Sequence, residues 1–173
     1  METTESPMQE TTSRRKAFSG TAAMVLLLFC LLAGCKPVVR TDTNEVLPGR
    51  KWSYTNKLKV SFSVTDASVP YNMWFRFRHT ASYAYSDLYI LVHYYYPGQA
   101  KKTKRYHVGV AGADGMWLGS GSGNFYTRMF TLMRAGRFPA KGNYTIEVEQ
   151  NMKDNPLREI TDAGIVIEPA SGS

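Results

Sequence analysis

The chain carries 173 residues, 43% hydrophobic and 20% charged, with a formal charge of +7. Its two cysteines, Cys30 and Cys35, both fall near the start. Everything after them is therefore free of disulfides, cysteine nucleophiles and thiolate metal sites.

Arg14, Arg15 and Lys16 precede an apolar run over residues 22–32, which closes in Leu32-Ala33-Gly34-Cys35. A basic start, an apolar stretch of about 7–15 residues and small residues before a cut define a secretory signal. The run is shorter than the ~20 residues a membrane span requires. A cysteine directly after Ala33 and Gly34 makes residues 1–34 a bacterial lipoprotein signal, with Cys35 as the lipidation site. Its thiol takes a diacylglycerol, and cleavage then frees its amine for a further acyl chain. Several chains are needed because each buried CH₂ contributes only about 0.8 kcal/mol and one chain anchors marginally. Ser13-Arg14-Arg15-Lys16 approaches a twin-arginine signal, but Ala17 stands where that pattern wants a large apolar residue, which favours general secretion. Glu2, Glu5 and Glu10 balance the three cations of the signal, so the whole +7 stays with the exported part. Outside the cytoplasm such a charge suits lipid headgroups, cell-wall polymers or an acidic protein face, and nucleic acid is not expected as a partner.

Residues 35–50 read as a lipidated N-terminus and flexible tether, polar and without sustained periodicity around Pro37, Pro48 and Gly49. From residue 51 the pattern turns to strands. Val60, Phe62 and Val64 alternate with polar residues, as do Tyr144, Ile146 and Val148, while Met73, Phe75 and Phe77 alternate with Asn72, Trp74, Arg76 and Arg78. A period of two places each set on one face of a strand. Residues 88–96 are almost continuously apolar and aromatic, which predicts a central strand; residues 106–110, 125–133 and 165–167 are further candidates. Turn signals separate them, and no window sustains helical spacing. The expectation is an all-β fold, an antiparallel, jelly-roll-like β-sandwich of seven to eight strands over residues 51–168, with a tail at 169–173.

Chemistry-bearing constellations are sparse. His79, His93 and His107 each sit singly in an aromatic strand pattern with no acidic residue beside them, so no metal site is expected. Gly119-Ser120-Gly121-Ser122-Gly123 lacks the Lys-Ser/Thr ending and following helix of a phosphate loop and reads as a flexible or tightly turning loop. Glu147 and Glu149 share a strand face, a weak glycosidase signal. No catalytic residue and no cofactor is expected. Tyr83, Tyr85, Tyr89, Tyr94, Tyr95 and Tyr96 crowd one region, where they either stack sugar rings or complete a core and its rim. Lys101, Lys102, Lys104 and Arg105 follow Pro97-Gly98 and are placed on a long hairpin loop, a candidate patch for an anionic partner. In Gly115-Met116-Trp117-Leu118-Gly119-Ser120-Gly121, adjacent Trp117 and Leu118 point to opposite faces. Trp117 is expected to be the buried member, plugging the end of the sandwich, while Gly115, Gly119 and Gly121 let the chain bend round it.

Tyr71-Asn72, Tyr83-Ala84-Tyr85-Ser86-Asp87-Leu88, the Gly115–Gly121 motif, Gly142-Asn143-Tyr144, Gln150-Asn151-Met152 and residues 157–164 occur in an order and spacing that resembles the gliding-motility lipoprotein GldH family of gliding and type IX-secreting bacteria. Asp87 stands where that family usually has asparagine, and Lys153 where arginine is usual. The resemblance implies a non-enzymatic envelope lipoprotein needed for gliding and for the linked secretion machinery, with other envelope proteins as partners. The alternative is a carbohydrate-binding lipoprotein of a nutrient-uptake system. Lys36-Pro37-Val38-Val39 lacks the acidic run that favours surface display in this bacterial group, so an outer-membrane anchor facing the periplasm is expected.

Overall fold

The computed structural model describes residues 39–170. Its strands, in chain order, are β1 (Thr41–Asp42), β2 (Glu45–Val46), β3 (Lys51–Trp52), β4 (Leu58–Val64), β5 (Tyr71–Thr80) and β6 (Asp87–Tyr95). They continue as β7 (Lys102–Gly109), β8 (Ser120–Ser122), β9 (Phe125–Gly136), β10 (Gly142–Gln150), β11 (Leu157–Arg158) and β12 (Ile160–Pro169). One 3₁₀ turn, Pro48–Arg50, interrupts them. The count is twelve rather than seven or eight, because five strands of two or three residues accompany seven of 7–12 residues. Pieces that short carry no readable alternation.

All pairings are antiparallel. One sheet runs β1-β12-β5-β9-β8, with β2 also on β12, and the other runs β4-β10-β6-β7. The chain crosses between sheets at most long connections; consecutive strands stay in one sheet at β1–β2, at the β6–β7 hairpin and at the β8–β9 hairpin. With β1 as first strand, the orders β1-β12-β5-β9 and β4-β10-β6-β7 are those of an eight-stranded jelly roll. A two-stranded piece, β3 with β11, buries Trp52 beside them.

Alternation builds the core as the period predicts. Tyr71, Met73, Phe75 and Phe77 of β5 point inward, as do Leu88, Ile90 and Val92 of β6 and Tyr144, Ile146 and Val148 of β10. Phe75 and Phe77 stack at 5.5 Å, and Trp52 lies 6.1 Å from Phe75.

Residues 39–50, expected as tether, belong to the sandwich instead. Val39 and Leu47 are buried, and β1 and β2 close the edge of the first sheet on β12. The segment is polar because its side chains face solvent, while its backbone supplies the pairing. Asp42 receives both terminal nitrogens of Arg76 from β5, at 2.7 and 3.1 Å, across the intervening β12. At the other end β12 runs through Pro169, one residue into the expected tail, and Ala170 N–H donates to the Pro70 carbonyl.

Candidate functional site

The β6–β7 register sets Tyr94 opposite Lys102, Val92 opposite Lys104, Ile90 opposite Tyr106 and Leu88 opposite Val108. Since Leu88, Ile90 and Val92 face the core, Lys102, Lys104 and Tyr106 lie on the inner side of β7, and Thr103, Arg105 and His107 on the outer side. Lys102, Lys104 and Arg105 are thus strand residues, not loop residues, and the expected basic patch is split between two faces. An edge strand tolerates this composition because lysines there block pairing with another chain.

On the inner side a cleft of about 310 Å³ is lined by residues of both sheets, among them Lys102, Lys104 and Tyr106 of β7 and Leu132 and Met133 of β9. Met73, Leu132, Met133 and Phe138 form its apolar wall, faced by Tyr94, Tyr96 and Tyr106. Lys102 Nζ stands 5.2 Å from the centre of the Tyr96 ring, and Lys104 Nζ 4.7 Å from that of Tyr106. Arg137 completes the rim, its Nε donating to the Ser68 carbonyl. The lining contains no carboxylate. Among the described residues, none of these three cations joins an ion pair. The Tyr94 and Tyr106 hydroxyls bond each other at 2.8 Å, and burial pushes the Tyr94 phenol well above its ordinary range, with the Tyr106 bond adding to it. Lys101 is exposed at the hairpin end.

The outer face of the second sheet is a lattice of paired charges. Arg105 covers the Tyr89 ring at 4.1 Å and donates to Asn151. Glu149 bonds Lys57 at 2.7 Å and His93 at 3.2 Å. Partial burial alone would raise the Glu149 pKa, but Lys57 and then His93 hold it below the usual carboxylate range. Glu147 accepts from Tyr95 at 2.9 Å and lies 3.8 Å from Lys59. Each carboxylate of the pair thus faces a lysine of its own, Glu149 Lys57 and Glu147 Lys59. His107 pairs with Asp87 at 2.8 Å. Two of the three histidines therefore do have an acidic neighbour, brought from another strand or another point of the same sheet and hence invisible to sequence adjacency. Among the described residues, no group of three or more metal-ligating side chains gathers.

The glycine motif lies at one end of the sandwich. Trp117 is half-buried rather than buried, 4.7 Å from His79, 6.0 Å from Tyr126 and 6.4 Å from Tyr83, while Leu118 is 38% exposed. It bridges Ala111 across a turn through Asp114 and Gly115. Ser120-Gly121-Ser122, read as loop, instead pairs with β9 as β8. Gly119 has φ +131°, and its α-carbon faces the Thr127 carbonyl too closely for any Cβ; a Cβ on Gly121 would meet the Tyr126 ring at 2.9 Å. His79 is fully buried here, its Nδ1–H donating to the Thr80 carbonyl at 2.9 Å and its Nε2 without a partner among the described residues. Of the clustered tyrosines, Tyr83 is core and donates to the Asp87 carbonyl, and Tyr85 donates to Asp154. The cleft itself escaped sequence reading because four strands and two loops supply its lining. Alternating lysines running into Tyr106 and Val108 were its one available signal.

Cys35 lies outside the described residues. A family model described as GldH lipoprotein matches residues 39–167. The chain is similar to a gliding motility lipoprotein GldH homolog of Christiangramia forsetii, 22% identical over 161 residues that cover 89% of this chain and 97% of the relative. It is also similar to the gliding motility lipoprotein GldH of Flavobacterium johnsoniae, 24% identical, covering 85% and 95%. No solved structure matches.

Proposed function

The chain belongs to the GldH lipoprotein family, and on that premise we propose that it is a non-enzymatic lipoprotein required for gliding motility and for the linked type IX protein-secretion machinery. The observation that carries this reading is the family match over residues 39–167, continuous with a lipoprotein signal that ends at Cys35. The names of the two relatives supply the motility role. Paired carboxylates, and histidines held in structural bonds, support a binding or scaffolding part over catalysis. Lipid on Cys35 anchors the domain to the outer membrane facing the periplasm, where other envelope proteins of the machinery are its partners.

Deletion of the gene is expected to abolish surface spreading and to retain secreted cargo inside the cell. Restoration should require wild-type protein, recovered in outer-membrane fractions and protected from external protease. A growth defect confined to one polysaccharide, with normal spreading and secretion, would overturn the reading in favour of a glycan-uptake lipoprotein.

A further inference from the structure

We propose that the cleft between β7 and β9 binds a single-chain acyl anion, its carboxylate at Lys102, Lys104 and Arg137 and its chain against Met73, Leu132 and Met133. This site is independent of the motility role, which rests on family membership, so the failure of one leaves the other standing.

Shape and chemistry select the ligand together. About 310 Å³ lies at the small end of ligand pockets, roughly 300–1,000 Å³, and admits one chain but not the paired chains of a phospholipid. The wall is apolar, and two of its members are methionines, whose unbranched side chains adapt to a flexible guest. The rim has the opposite character, with three cations, no lining carboxylate and no ion pair among the described residues to neutralise them. Two of those ammonium groups already rest over tyrosine rings, which positions them before a ligand arrives.

A sugar is a poor guest for the same site. Its hydroxyls need directed partners, and unpaired polar groups in a desolvated pocket are costly. The Tyr94 and Tyr106 hydroxyls are already engaged with each other and that of Thr103 with His93, which leaves Tyr96 as the single lining hydroxyl to set against a wall of Met73, Leu132, Met133, Phe138 and Pro139.

The test uses the lipidated protein in phosphatidylcholine nanodiscs and dodecanoate carrying a terminal diazirine, with crosslinks mapped by mass spectrometry. Labelling is expected on Met73, Leu132 and Met133, and excess dodecanoate should suppress it at least tenfold more effectively than dodecanol. The Lys102→Gln/Lys104→Gln double variant should lower labelling at least tenfold with an unchanged melting temperature. Leu132→Trp, which fills the cleft, should block it. Labelling spread over exposed Val46 and Met116, or equal competition by dodecanol, would overturn the proposal. So would labelling by a diazirine lysophosphatidate alone, which assigns the occupant to the membrane, or displacement by an acidic aromatic peptide but not by dodecanoate, which makes the cleft a protein-docking groove.

Discussion

The carbonyl of Thr43 lies against the α-carbon of Gly164 so closely that no Cβ fits between them. The same threonine bonds Ile165 through backbone and side chain alike: its N–H donates to the Ile165 carbonyl at 3.0 Å, and its hydroxyl accepts from the Ile165 N–H at 3.1 Å. Only a glycine in β12 lets the N-terminal segment lie this flat on the sheet. Gly164→Ala is therefore expected to cost about 1–3 kcal/mol by overpacking. It should also speed proteolysis within residues 39–47, read by limited digestion, while the β6–β7 hairpin stays protected.

Gly119 and Gly115 both have positive φ but differ in surroundings. Gly115, at φ +77°, faces open space, whereas Gly119, at φ +131°, faces the Thr127 carbonyl. Gly115→Ala should cost about 1 kcal/mol, the ordinary left-handed penalty. Gly119→Ala should cost about 3 kcal/mol, since strain and backbone collision add. Urea unfolding of the two variants measures the difference, and equal losses would show that β8 tolerates displacement from β9.

Burial lowers the His79 pKa below its ordinary value, and the Thr80 carbonyl only partly offsets that. An unfolded histidine titrates near 6.5, so below about that pH the unfolded chain binds the proton first and stability falls as pH drops. Phe77, Tyr83, Trp117 and Tyr126 surround the ring, and none of them carries a charge there. His79→Phe should remove this slope below about pH 6.5. Melting curves across that window decide; an unchanged slope would assign it to another group.

Trp117→Ala removes the ring contacts with His79, Tyr83 and Tyr126. Full burial would make the cost about 3–5 kcal/mol; half-burial brings it to about 2–3 kcal/mol. The variant should melt lower and expose His79 to faster tritium exchange at its ring carbon. Wild-type melting with lost motility would mark Trp117 as a contact for a partner instead.

Cys35→Ala should leave an unprocessed precursor that incorporates no fatty-acid analogue in labelled cells. Normal processing with label retained would exclude Cys35 as the acylation site.

β4, β5 and β10 were legible because each carries an inward apolar set at alternate positions, as in Val60-Ser61-Phe62-Ser63-Val64. β1 and β2 were not. Two residues show no period, and what makes Thr41–Asp42 a strand is the β12 edge that receives it. Lys102 and Lys104 were misread for a related reason. Charge suggested solvent, yet an edge strand at a cleft mouth lets an inward lysine stay exposed while its ammonium rests over a tyrosine ring. The Trp117 motif was half legible: adjacency correctly separated Trp117 from Leu118, but the depth of Trp117 depends on His79 and Tyr126, residues that no local pattern connects to it.

Pairing between β1 and β12 joins Thr41 to Ile167 and Asp42 to Val166, and Thr43 just beyond bonds Ile165, 122 positions away. A chain delivered N-terminus first, from a ribosome or through a translocation pore, presents its first strand long before the last one exists. Local contacts such as the β6–β7 hairpin can form early, but the first sheet cannot close until residue 167 is free. Such non-local topology slows folding and keeps strand edges open meanwhile. The hazardous interval in such a fold is delivery itself, and a holding chaperone acts on it most usefully before β12, Ile160–Pro169, has emerged.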